Sequence, residues 1–164
     1  MASGNTLAVF TPLHNEPPAT VYATLDLRNG HPCLDFDAAT DEDAVFTGIL
    51  PANYAGGGLT VTLIWAATSA TSGDVVWNAA IERMDDEGID IDSDSFAAAQ
   101  AATATAPAAT GQLQYTSITF TSGAQMDSLA ATEMFRIKVT RDANAGGDTM
   151  VGDAELLGVR ISET

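Results

Sequence analysis

Asp90, Asp92 and Asp94 stand at alternate positions within the acidic run Asp85 to Ser95, and carboxylates in a D-x-D-x-D pattern can open the oxygen cage of a calcium loop. They are the chain's candidate metal ligands. The continuation departs from the EF-hand pattern. Ser95 and Phe96 stand where the loop glycine and its sequel belong, and Gln100 and Ala101 occupy the region of the closing glutamate. A hydrated acidic loop is the competing reading. His14 and His31, in the arm and beside Pro32, have no paired partner in sequence, whereas a zinc site wants several His, Cys or carboxylates at ligand spacing, and Cys33 is the sole cysteine, which excludes an internal disulfide and a thiolate cluster. No G-x-S-x-G elbow appears, so no Ser/His/Asp set can be argued. Gly56-Gly57-Gly58 lacks the lysine of a phosphate-binding loop and precedes a strand rather than a helix. Most of the 22 acidic residues fall in loops, where aspartate forms turns. The sequence by itself gives no pair with surroundings that would split its acidities as glycoside hydrolysis requires. With no nucleophile, base and orienter to assemble, the chain is expected not to be an enzyme and to hold no cofactor. Tyr54, in its glycine-rich loop, is the one aromatic placed for surface contact, such as stacking on a sugar.

The segments that must position these residues read as strands. Leu59, Val61, Leu63 and Trp65 share one face of an alternating run, with Thr60 and Thr62 on the other. Val75, Trp77, Ala79 and Ile81 share a face of the next, so Trp65 and Trp77 are expected to meet in one core layer across a hairpin. Glu133 to Arg141 alternates strictly, with Phe135, Ile137 and Val139 inward. In Tyr22 to Arg28, Ala23, Leu25 and Leu27 point one way, and Asn29-Gly30 follows as a turn. His31 to Phe36, Val45 to Leu50, Leu113 to Thr121 and Glu155 to Ile161 complete the clearer strands, the last with Leu157, Val159 and Ile161 on one face. The Ala/Thr run 101–110 is read as an edge strand, and Ser122 to Thr132 as a loop with a turn near Met126. The spacing predicts an all-β chain: a β-sandwich of jelly-roll type with about eight antiparallel strands over residues 21–164. Residues 1–20, with Gly4, Pro12, Pro17 and Pro18, are predicted to form an extended N-terminal arm, either disordered or laced onto a neighbour.

Composition narrows the function classes. The formal charge is −16, with six basic residues scattered singly, so the field repels nucleic acid and anionic lipid and offers no basic patch. No apolar run approaches the ~20 residues of a membrane helix, and no signal segment is expected at the N-terminus. A surface rich in aspartate and poor in lysine also suits molar salt, where a rising melting temperature is the expected sign.

The motifs Gly58-Leu59-Thr60-Val61, Trp65-Ala66-Ala67-Thr68-Ser69-Ala70-Thr71-Ser72-Gly73-Asp74-Val75-Val76-Trp77, Asp92-Ser93-Asp94-Ser95-Phe96 and Asp148-Thr149-Met150-Val151-Gly152-Asp153-Ala154-Glu155-Leu156 resemble short proteins encoded by tailed viruses of prokaryotes and their proviruses. The segments Leu34 to Asp37, Ala44 to Tyr54, Ser93 to Gln100 and Met126 to Glu163 extend the resemblance over most of the chain after residue 20. It implies a virion-associated jelly roll without catalytic residues. The expected function is a virion structural protein of the capsid decoration (cement or turret) type. The expected partners are the major capsid protein or another virion protein, together with further copies of the chain, a trimer for example. The alternative is a carbohydrate- or receptor-binding module of a tail fibre or spike, which calls for an aromatic-lined groove or a calcium site.

Overall fold

In a computed structural model, which describes residues 4–164, the alternating segments become ten strands. These are β1 (Thr6–Phe10), β2 (Thr24–Arg28), β3 (His31–Phe36), β4 (Glu42–Ile49), β5 (Leu59–Ala67), β6 (Asp74–Met84), β7 (Gln100–Thr105), β8 (Gln114–Phe120), β9 (Met134–Arg141) and β10 (Ala154–Glu163). Every ladder is antiparallel. One sheet runs β2-β3-β10-β5-β8, and the other β4-β9-β6-β7. Their apolar faces meet as a β-sandwich of jelly-roll type.

β10 lies at the middle of the first sheet. One of its edges pairs with β5 along the whole strand. The other is shared end to end, with β3 on Ala154 to Leu156 and β1 on Val159 to Ser162. A bulge between Leu156 and Gly158 separates the two halves, and the extra residue reverses the phase. Leu156 is therefore buried before the bulge, Val159 and Ile161 after it, while Leu157 is left half-exposed. This corrects the expectation that Leu157, Val159 and Ile161 share one face.

The side chains of Leu59, Val61, Leu63 and Trp65 are fully buried, as are Trp77, Ile81, Phe135, Ile137 and Val139 opposite them. The Trp65 and Trp77 rings meet edge to face, 5.8 Å apart at 63°. They do so across the sandwich and not across a hairpin, because β5 and β6 belong to different sheets and the chain crosses over between them. The Trp65 indole N–H donates to the Thr116 hydroxyl at 2.9 Å.

Residues 4–20 do not extend away from the domain. β1 adds to β10, and Phe10 is buried, stacked on Phe46 (5.5 Å, 24°) and set edge-on to Phe135 (6.3 Å, 73°). A 3₁₀ turn at Pro12–His14 follows. The chain then runs beside β4. The Glu16 N–H donates to the Val45 carbonyl, the Val45 N–H to the Asn15 side chain, and the Ala23 N–H to the Asp43 carbonyl. One buried aromatic and this backbone pairing hold residues 4–20, expected as an extended arm either disordered or laced onto a neighbour, against their own domain.

Arg141 closes the far end. It shares the inward phase of Phe135, Ile137 and Val139 and is itself fully buried. Its guanidinium pairs with Asp148 through Nη2 at 2.9 Å and Nε at 3.1 Å. It also donates to the carbonyls of Phe36, Met150 and Gly152, fixing the loop before β10.

Candidate functional site

β2 and β3 form a hairpin on Asn29-Gly30, whose positive φ values of 49° and 78° match the twist of a two-residue turn. Ala23, Leu25 and Leu27 share a face, as their spacing predicts, and Leu25 lies opposite Leu34 in the ladder. Leu34 and Ala23 are buried, but the cover ends there: Leu25 is 53% and Leu27 65% exposed. β2 is the last strand of its sheet, and its core-facing side overhangs the sandwich. The 3₁₀ turn adds Leu13, 68% exposed.

These residues line a chain of shallow grooves. Leu13, Leu25, Asp26, Leu27 and Pro32 form the first. Leu13 and Pro32 also belong to the second, with Thr11, Pro12, His31 and Leu157. His31 and Leu157 continue into a third beside Leu113 and Arg28. The half-exposed Leu157 thus comes from the bulge, and the band sits where β1 and β3 part on the edge of β10. Its carboxylates are engaged. Asp26 Oδ1 accepts from the Leu27 N–H at 2.7 Å, and the nearly buried Glu155 takes the Arg28 guanidinium, which also donates to the Ala67 carbonyl at 2.9 Å. Contiguous apolar surface of this kind usually marks a binding face.

Beyond the band, β3 and β10 place Asp35 directly opposite Glu155. Arg28 is committed to Glu155, and Asp35 Oδ1 is buried without a partner. Burial, then the charges of Asp153 and Glu155, push the Asp35 carboxyl up to about 6. Burial, then Glu155, push the Cys33 thiol up to about 11, which keeps it in the unreactive thiol form.

The candidate residues from the sequence take other roles. Asp90 Oδ1 accepts from the Asp92 N–H at 3.0 Å, and the Asp90 carbonyl accepts from the Ser93 and Asp94 N–H groups, so the segment is a self-bonded turn. Asp90 and Asp92 are exposed and Asp94 is half-buried, with its Oδ2 unpartnered. Among the described residues, no three His, Cys, Asp or Glu side chains gather as a metal would require. His14 bonds within its turn to Thr11, and His31 borders the band. Tyr54 is not at the surface. It is 6% exposed, and its hydroxyl donates to the Gly57 carbonyl, folding the glycine loop onto the core. Phe96 is the aromatic of a polar groove over the second sheet, beside Asp43, Asn78 and Lys138. Arg136 and Lys138 lie 5.2 and 5.4 Å from its ring centroid, so cations occupy the surface a sugar would stack on.

No helix among the described residues is long and apolar enough to cross a membrane. No protein-family model matches the chain. No curated protein matches it either. Among solved structures, a CBM4 carbohydrate-binding module aligns with 89% of this chain and 81% of its own at 15% identity and a TM-score of 0.44. A protein of infectious bursal disease virus, Gt strain, aligns with 98% of this chain at 13% identity and a TM-score of 0.34. This chain spans 33% of that viral protein's length. Likenesses this distant leave function to the chain's own surfaces.

Proposed function

We propose that the chain is a non-enzymatic structural protein of a virion, a capsid decoration protein of the cement or turret type from a tailed virus. The observation that carries this reading is the exposed apolar band of Leu13, Leu25, Leu27 and Pro32 on an otherwise acidic, closed sandwich. An isolated soluble domain gains nothing from leaving the core-facing side of a strand in water, and an assembly component does. The sequence motifs that resemble tailed-virus proteins supply the virion as the assembly. The acidic remainder, at −16 overall, keeps decorated particles dispersed. Purified capsids lacking the chain should take up added protein to a fixed, saturable stoichiometry, read by gel densitometry and cryo-microscopy. Capsids that bind none of it refute the proposal. Dose-dependent binding to a glycan array without capsid binding would replace it with the carbohydrate- or receptor-binding alternative.

A further inference from the structure

We propose that the pocket around Glu155, on the outer face of the first sheet, binds an alkylammonium group, a primary amine on an unbranched aliphatic stem. The pocket holds about 380 Å³, within the range of small-ligand sites. It lies past the Leu13–Leu25–Leu27–Pro32 band, whose docking role the proposal does not use. Its wall is made by outward residues of three neighbouring strands, Cys33 of β3, Glu155 and Leu157 of β10 and Ala66 of β5, and Leu113 and Arg28 close its sides. Glu155 is its polar centre. The side chain is only 7% exposed; Oε2 takes the Arg28 guanidinium, and Oε1 has no donor among the described residues.

The Arg28 guanidinium is fixed on the protein's own oxygens. Nη1 donates to Glu155 and to the Ala67 carbonyl at 2.9 Å, Nη2 reaches the Thr68 carbonyl at 3.5 Å, and a Cβ on Gly111 would stand 3.1 Å from Nη2. Three carboxylates surround this one cation: Glu155, Asp35 opposite it in the β3–β10 ladder, and Asp26 opposite Cys33 in the β2–β3 ladder. The pocket is therefore negative. The Cys33 thiol on its wall registers the field, since the charges of Glu155, Asp26 and Asp35 add to burial in pushing it up. An anion is repelled here and a cation drawn in, on a chain that carries −16 overall. A guanidinium ligand needs both oxygens of a carboxylate for its two-bond fork, and Arg28 already holds one of them. An ammonium needs only the point acceptor that Oε1 provides. Leu113, Leu157, Ala66 and the Cys33 thiol give its methylenes an apolar lining. The chain's single lysine, Lys138, lies on the other sheet beside Asp43 and Phe96. The amine therefore comes from another molecule, as a lysine side chain of a partner protein or as a free polyamine.

Amide chemical-shift mapping on the full chain at neutral pH and low salt is the test, with Nα-acetyl-lysine methylamide and 1,4-diaminobutane as the probes. Saturable shifts are expected at Ala66, Leu113 and Leu157, with a Kd on the order of 1 mM, as suits ligands of so few heavy atoms. The tighter probe names the source: the lysine derivative a protein side chain, the diamine a free polyamine. Nα-acetyl-norleucine methylamide keeps the stem without the ammonium and should bind at least about 10-fold more weakly, and Glu155→Gln should weaken both amines by at least about 10-fold. Leu113→Arg, at a half-exposed wall residue, sets a cation at the mouth while leaving the Arg28–Glu155 pair in place, and should also weaken them. Circular dichroism reports that each variant is folded. Asp92→Asn, in the exposed acidic turn, should leave binding unchanged. Three results would each overturn the proposal: shifts confined to the acidic turns, amines that bind folded Glu155→Gln or Leu113→Arg protein like the parent, or a norleucine probe that binds as well as the lysine one. A chain that binds amines here and ignores capsids sinks the proposed function alone, and one that decorates capsids with no amine site sinks this proposal alone.

Discussion

Replacing Asp35 with asparagine should stabilise the protein at neutral pH and do little at pH 4. Asp35 faces Glu155 across the β3–β10 ladder, the Arg28 guanidinium is committed to Glu155, and Asp35 Oδ1 is buried without a donor. The folded state therefore favours the protonated acid, moving its pKa from 3.8 to about 6. Below the unfolded value both states hold the proton and there is no penalty. Between about 4 and 6 the folded state binds more protons than the unfolded one, so stability falls as pH rises, and above about 6 the loss is complete. Two pH units correspond to about 3 kcal/mol at most, and partial exposure of Asp35 reduces the expected effect to about 1–2 kcal/mol. The asparagine amide carries no charge, so at pH 7 the variant should melt about 3–8 °C higher, and the two melting curves should converge towards pH 4. Thermal unfolding followed by circular dichroism at pH 4 to 8 gives the difference directly, and pH effects common to both proteins cancel. A difference that stays constant over this range, or a less stable variant at pH 7, refutes the account of the Asp35–Glu155 pair.

Two other substitutions test the interior. Arg141→Met removes a buried cation from Asp148 and three carbonyls; stranding that carboxylate should cost about 3–5 kcal/mol by urea denaturation, and the double variant with Asp148→Leu should recover part of it. Trp65→Ala should cost about 3–5 kcal/mol, and Thr116→Val, which only orphans the buried indole N–H, about 1–3 kcal/mol.

Where side chains alternate without interruption, as in β5 and β9, the sequence states both the strand and its buried face. It also held the clue to Arg141, because an arginine in phase with Phe135, Ile137 and Val139 must either end the strand or be buried with a counter-charge. Leu157 fails this reading because a single extra residue reverses the phase, and nothing local in Leu156-Leu157-Gly158 states that two different strands share one edge there. Leu25 and Leu27 have the spacing of core residues and lie in the right strand. Their exposure follows from the reach of the opposite sheet, a tertiary property that a local pattern does not contain. The surface proposed for docking was thus written in the sequence as core. Tyr54 is the reverse case: glycines around an aromatic suggested a surface loop, and the same glycines let the loop fold inward until the hydroxyl meets Gly57.

The central position of β10 has a consequence for how the protein is made. Its neighbours β1, β3 and β5 are all synthesised before the strand that joins them. Until then three apolar strands in the nascent chain lack their common partner. Folding must close the long loops that separate β10 from β1, β3 and β5, which makes it slow and leaves strand edges open to other chains until β10 emerges. High expression should therefore favour aggregates made of unfinished chains, and slower translation should lower the aggregated fraction.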